Sequence, residues 1–207
     1  MIRPDDYDTR NLAAEIIARG GLIAFRTDTF YGLGVDPLNE EAVRRIHRLK
    51  GRETGKPILL LIADTGSADK LIRSKPALFD TLSHSLWPGP LTIVLPAAAA
   101  LPEDVTAQTG TVGLRLPRDE GVRLLVRNCG GRLTATSANP SGSEPARSAN
   151  KVQLYFPTGI DLIVDGGEVT VTKPSTVIDI VNTPPTIVRE GAVSKAELER
   201  VLGARIV

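Results

Sequence analysis

Thr27 to Gly34, TDTFYGLG, and Leu49 to Pro57, LKGRETGKP, gather the residue types that hold anions. Hydroxyls and glycines fill the first stretch. Six cations, Arg44, Arg45, Arg48, Lys50, Arg52 and Lys56, fall in and just before the second, with Glu53 as the one acid among them. The 207-residue chain has a formal net charge of only +1, so this is a local concentration in a balanced sequence. Cations and backbone N–H groups beside a glycine turn both stabilise phosphate, which points to nucleotide chemistry. Arg44, Arg45 and Arg48 read as a solvated helix face or an RNA phosphate contact. Lys50, Arg52 and Lys56 are expected past the helix end, beside Gly51 and Gly55, and are the ligand candidates.

The familiar nucleotide signatures are missing from the sequence. There is no GxxxxGK[ST], and Gly32-Leu33-Gly34 lacks the third glycine of a dinucleotide fingerprint, so it reads equally well as a tight strand-to-helix turn. His47 sits on the basic helix and His84 has no acid nearby. Neither suggests a triad or a metal site, and surface or capping roles suit both. Cys129 is the single cysteine, which excludes an internal disulfide framework and leaves a small helix-packing residue. Asp165, Asp179 and Glu190 match no metal spacing and read as turn and salt-bridge residues. With no nucleophile–base pair, positioning and charge neutralisation remain, the pattern expected when phosphoryl or nucleotidyl groups move.

Further candidates stand at strand ends. Trp87-Pro88-Gly89-Pro90-Leu91-Thr92 is a rigid entry to a strand, its indole either core or cover. Arg115 alternates with Leu114 and Leu116 and either forks onto a carboxylate or phosphate or makes a surface ion pair. Thr136 to Gly142, TSANPSG, bunches hydroxyls and an amide after a strand. Ser175-Thr176 opens another strand and Arg189-Glu190-Gly191 closes one. Open α/β sheets bind ligands at such places.

Positioning these groups requires an alternation of helices and strands, hence an α/β class. Helices are expected over 11–19, from the Asn39 N-cap through Leu49, from Pro76 to 86, over 120–128, and from the Ser194/Glu197 capping box to about Gly203. Strands are expected over 22–26, 58–62, 91–95, 112–116, 132–135, 162–164, 176–180 and 186–188. At 42% apolar and 24% charged residues the chain suits a globular protein, and 207 residues suit one domain spanning 1–207. No apolar run nears the ~20 residues of a membrane helix, and the acidic MIRPDDYDTR start is unlike a signal peptide, so a cytoplasmic protein without membrane contact is expected.

TDTFYGLG, LKGRETGKPILLLI, WPGPLTIVL, GTVGLRLP, TATSANPSG, PSTVID and IVREG occur in the order found in the YrdC-like family, the threonylcarbamoyl-AMP synthases. The chain resembles that family from about Gly20 to Gly191 and looks like its short, single-domain bacterial form. The resemblance implies one twisted mixed sheet flanked by helices around a positively charged concave cavity. It implies ATP-dependent conversion of L-threonine and bicarbonate to threonylcarbamoyl-AMP, with release of pyrophosphate. Transferase partner proteins would then modify tRNA beside the anticodon. Mg²⁺ would accompany ATP as substrate, with no tightly bound cofactor and no protein metal site. By motif matching, Thr27, Arg115 and Ser175 would contact threonine. Lys50, Arg52, Lys56, Ser137, Asn139 and Arg189 would line the ATP site, with Thr111 and Ala146 as further nucleotide contacts, and Lys50 and Arg52 would be catalytic. Arg26 and Asp28 depart from the PTET that the family often shows at Arg26 to Thr29. Two other readings stay open: a non-catalytic protein that binds double-stranded RNA, tRNA or rRNA in a basic groove, and the related carbamoyl-adenylate domain of hydrogenase-maturation proteins.

Overall fold

The computed structural model describes residues 1–51, 56–170 and 173–206. In chain order the elements are β1 (Ile2–Pro4), α1 (Tyr7–Ala18), β2 (Ile23–Arg26), β3 (Tyr31–Gly34), α2 (Glu40–Lys50) and β4 (Leu60–Ile62). After a 3-10 turn over Thr65–Lys70 come α3 (Leu78–Leu86), β5 (Leu91–Pro96), α4 (Glu103–Thr106), β6 (Thr111–Arg115) and α5 (Glu120–Asn128). The remainder is β7 (Arg132–Thr134), β8 (Thr136–Ser137), α6 (Ala149–Tyr155), β9 (Leu162–Asp165), β10 (Thr176–Asp179), β11 (Thr186–Arg189) and α7 (Lys195–Leu202).

The α/β class and the mixed strand pairing are as expected, but the strands divide between two sheets where one was expected. Among the described residues, one sheet runs β1-β9-β2-β3-β8 and the other β11-β10-β5-β6-β4-β7. In the first, β9 pairs parallel with both β1 and β2, while β3 pairs antiparallel with β2 and β8. In the second, β10–β5 and β6–β4 are parallel and the other pairs antiparallel. Apolar spacing marks strands but not their partners, so the partition was invisible in the sequence.

Several strands are buried on both faces, which explains their unbroken apolar runs. Along β2 and its approach, Leu22 and Ala24 enter one core while Ile23 and Phe25 enter a second. Ile58, Leu60 and Ile62 likewise face the first core, and Leu61 and Ala63 the second. On β9, Ile163 faces the first, and Leu162 and Val164 the second. Burying each such side chain fully contributes about 1.5–3 kcal/mol. Trp87 belongs to the first core. It meets Phe79 edge-on at 5.8 Å between ring centroids and donates from Nε1 to the Leu91 carbonyl at 2.7 Å.

Tyr31 to Gly34 is a strand, not a turn. Gly34 is needed there because a Cβ would lie 2.7 Å from the Phe25 ring across the hairpin. Helix α2 starts on the Asn39 cap, whose side chain accepts from the Ala42 N–H at 3.0 Å. It ends at Gly51, left-handed at φ 59°. His47 lies buried on α2 rather than at the surface, with Nε2 3.0 Å from the Asp104 carbonyl. Cys129 is buried as expected, and burial pushes its thiol up to about 12. Asp165, Asp179 and Glu190 accept from the N–H groups of Gly167, Val181 and Lys195, so they build turns.

Candidate active site

A cleft of about 770 Å³ opens where the hairpin turn 27–30, the end of α2, the ends of β6, β8 and β11 and the start of β10 converge. Thr27, Lys50, Lys56, Arg115, Ser137, Asn139, Ser175 and Arg189 all line it, so eight candidates distant in sequence come together. No Asp or Glu is among the described residues of its wall. Arg52 lies outside the described residues. Thr111 and Ala146 are not in the lining. Thr111 starts β6 at the strand end opposite Arg115 and shares a hydrogen bond with Thr109. Ala146 is fully buried, its carbonyl accepting from the Tyr31 N–H at 3.0 Å.

Arg115 is 2% exposed, so the surface ion pair is ruled out for it. Its Nη2 lies 3.1 Å from Asp28 Oδ1, and Nη1 donates to Thr29 Oγ1 at 3.3 Å. Burial lowers its basicity, Asp28 opposes the loss, and the nearby Arg189 charge adds to it. A guanidinium does not deprotonate in proteins, so the site holds a desolvated fork facing the cleft. Arg189 reaches back to Ser175, with Nη2 donating to its carbonyl at 3.0 Å and to its hydroxyl at 3.1 Å. Ser175 Oγ also meets Thr92 Oγ1 at 3.0 Å. One end of the cleft thus carries two guanidiniums and a ring of hydroxyls, suited to a carboxylate.

Thr27 builds the turn that brings Thr29 there. Its hydroxyl donates to the Phe30 carbonyl at 2.6 Å and accepts from the N–H groups of Thr29 and Phe30. Hydroxyl–backbone bonding of this kind stabilises turns against regular structure. Thr29 was missed as a candidate because alternation says nothing about which hydroxyl of TDT faces a partner on another strand.

The opposite end is built around Lys50. The sequence suggested a lysine past the helix; the structure makes it the last residue of α2 and turns it inward. Val43, Ile46 and Lys50 share the buried stripe at helical spacing, a signal present in the sequence but hidden by the flanking charges. Lys50 Nζ donates to the carbonyls of Ser137 and Asn139, the latter at 2.7 Å. Asn139 uses Nδ2 on the carbonyls of Pro140 and Ser143, while among the described residues its buried Oδ1 has no hydrogen-bond partner. Such an atom is normally satisfied, so Oδ1 keeps an unused acceptor capacity beside the cleft. Exposed Lys56 also lines the cleft.

Arg44, Arg45 and Arg48, by contrast, point away from the cleft into ion pairs. Arg44 meets Glu40, Glu41 and Asp104, Arg45 meets Asp161 at 2.8 Å, and Arg48 meets Glu41.

A family model named Sua5_yciO_yrdC, described as Telomere recombination, matches residues 15–191. The chain belongs to the Sua5/YciO/YrdC family. A curated relative from Pyrococcus abyssi, named threonylcarbamoyl-AMP synthase, is 38% identical over 192 residues, 93% of this chain and 56% of that protein. A relative of the same name from Halorhodospira halophila is 36% identical over 173 residues, 84% of this chain and 90% of that protein. A crystal structure of P. abyssi Sua5 complexed with L-threonine superposes with a TM-score of 0.93 at 36% identity, covering 100% of this chain and 61% of that one. This Sua5/YciO/YrdC chain therefore spans little more than half the length of the first curated relatives it matches. Among its described residues no helix is long and apolar enough to cross a membrane, and no cluster of His, Cys, Asp and Glu could hold a metal ion.

Proposed function

We propose that this chain is a threonylcarbamoyl-AMP synthase, one domain over 1–207, working in the cytoplasm on L-threonine, bicarbonate and ATP. The observation that carries the reading is one cleft lined by a buried arginine fork together with Lys50, Lys56 and Asn139. Its volume suits a small-molecule site. The likeness to relatives bearing that name, and to a protein crystallised with L-threonine, supports the same assignment.

In this reading Arg115 takes the threonine carboxylate, with Ser175, Thr27 and Thr29 shaping the pocket around the rest of the amino acid. The threonine nitrogen and bicarbonate combine to a carbamate with loss of water. A carbamate oxygen then attacks the α-phosphorus of ATP, the new P–O bond forms as the α–β bridge breaks, and pyrophosphate leaves with the electron pair. No enzyme nucleophile is required, in keeping with a wall of hydroxyls, cations and amides. Lys50, Lys56 and Arg52 neutralise charge on the phosphates, Ser137 and Asn139 hold the nucleoside, and Arg189 meets the ATP from the Arg115 end. Mg²⁺ enters with ATP on phosphate oxygens. Thr111 and Ala146, which lie outside the cleft lining, are further nucleotide contacts by motif match alone. Transfer of the threonylcarbamoyl group to tRNA beside the anticodon belongs to partner proteins. The neutralised arginines of α2 weigh against a protein that only binds RNA.

The test is pyrophosphate release from ATP by the purified protein with threonine and bicarbonate each present or omitted. Release that needs both is expected. Release with neither, or none from folded protein, would overturn the reading.

A further inference from the structure

Asp28 stands behind the cleft wall, 14% exposed, with Oδ1 3.1 Å from Nη2 of Arg115. Proximity here does not amount to a hydrogen bond. Among the described residues buried Oδ1 has no aligned hydrogen-bond donor, while Oδ2 accepts from the Arg118 N–H at 3.4 Å. The carboxylate is therefore held from the β6–α5 loop and lends Arg115 its charge without consuming the fork. The same loop is tied to the hairpin a second time, through Arg26 and Asp119 at 2.8 Å. Asp119 in turn caps α5 at the Val122 N–H. Asp28 thus sits in a hairpin–loop junction that is tied at two points.

This placement decides the charge of the subsite. Arg115 and Arg189 both line this cleft, and among the described residues Asp28 is the acid paired with Arg115. Two guanidiniums less one carboxylate leave a single positive charge. A monocarboxylate neutralises that charge. A phosphate dianion exceeds it and meets Asp28 across the guanidinium, and the repulsion grows with each charge the anion carries. Inside one cleft that must hold both an amino acid and a polyphosphate, this difference sorts the two.

We propose that Asp28 is a specificity-determining residue: by cancelling one of the two guanidinium charges it fits the Arg115 end to one carboxylate and rejects phosphate there. The proposal rests on the amino-acid and nucleotide reading of the cleft. A purely structural ion pair would make a different prediction, since its loss would weaken every ligand alike without changing which anion competes.

Calorimetric titration of L-threonine into the full chain, at rising concentrations of inorganic phosphate, tests it in wild type, Asp28→Asn and Asp28→Glu. In wild type the threonine Kd is expected to stay constant as phosphate rises. In Asp28→Asn phosphate becomes a competitor, its own affinity tightening about tenfold. Asp28→Glu restores the wild-type pattern. Phosphate that leaves threonine binding unchanged in Asp28→Asn would overturn the proposal. So would phosphate that already displaces threonine from wild type, an arm that stands even where Asp28→Asn does not fold; Asp28→Ser is the second neutral variant. A folded wild type that binds no threonine removes the functional reading and this proposal together, whereas threonine binding with no phosphate competition in either neutral variant removes this proposal alone.

Discussion

Lys50 Nζ lies 2.7 Å from the Asn139 carbonyl, so the last turn of α2 clamps the loop that carries Ser137 and Asn139. The backbone repeats the connection, with the Ser141 N–H donating to the Lys50 carbonyl at 3.1 Å. One residue therefore carries charge to the cleft and shapes its wall.

Lys50→Ala is expected to lower kcat/KM for ATP by at least ~100-fold, the scale of losing a positioned charge. It is also expected to destabilise the fold by about 1–3 kcal/mol, because one buried and one part-buried carbonyl lose their donor. Pyrophosphate release and urea unfolding on the same preparation check both. Activity within a few-fold of wild type would remove Lys50 from the phosphate site.

Arg115→Lys is expected to weaken threonine binding by about tenfold or more while ATP affinity changes less, because a point charge cannot reproduce a planar fork. Separate calorimetric titrations of the two substrates decide it. Equal losses would place Arg115 outside the carboxylate subsite.

Replacing Arg44, Arg45 and Arg48 together by alanine is expected to leave pyrophosphate release within about threefold of wild type. Each is an exposed or half-exposed ion pair worth about 0–1 kcal/mol, so a modest fall in thermal midpoint is the main effect. A large loss of turnover with the fold intact would show that this face takes part in the reaction.

Asp161 offers a pH test. Burial works against its charge, yet Arg45 and the Leu22 N–H, which donates at 2.7 Å, hold its carboxyl below the usual carboxylate range. A depressed folded pKa stabilises the fold above the unfolded value and loses that contribution as pH falls through the folded one. Asp161→Asn should therefore cost about 1 kcal/mol at pH 7, after allowance for solvent screening, and the gap should narrow below about pH 4. Chemical unfolding at both pH values checks the sign, and a pH-independent gap would refute it.

Local signals in the sequence were reliable where a cap or a run was complete. Helix α5 begins after Asp119 and ends before Gly130-Gly131, and α7 opens on Ser194, as their residues announce. Strand β3 was hidden because Gly32 and Gly34 read as a turn until the Phe25 ring is seen against Gly34. Short β1, with Pro4, and α6, following a loop rich in Ser and Pro, lacked the length for periodicity to register. The site was legible as a set of strand-end residues, because chemistry-bearing types stand out one by one. Its pairings were not. Asp28 with Arg115, and Lys50 with the Asn139 carbonyl, are contacts between distant segments, which only the folded topology supplies.

The double-faced strands restrict how this molecule can change length. In β2 the order Leu22, Ile23, Ala24, Phe25 assigns neighbours alternately to the two cores. Inserting or deleting one residue there would exchange the contents of both cores at once and rotate Thr27 to the wrong side of the hairpin. Indels are therefore expected to survive in loops remote from β2, β4 and β9, and the register of the cleft's walls depends on strands that stand outside its lining.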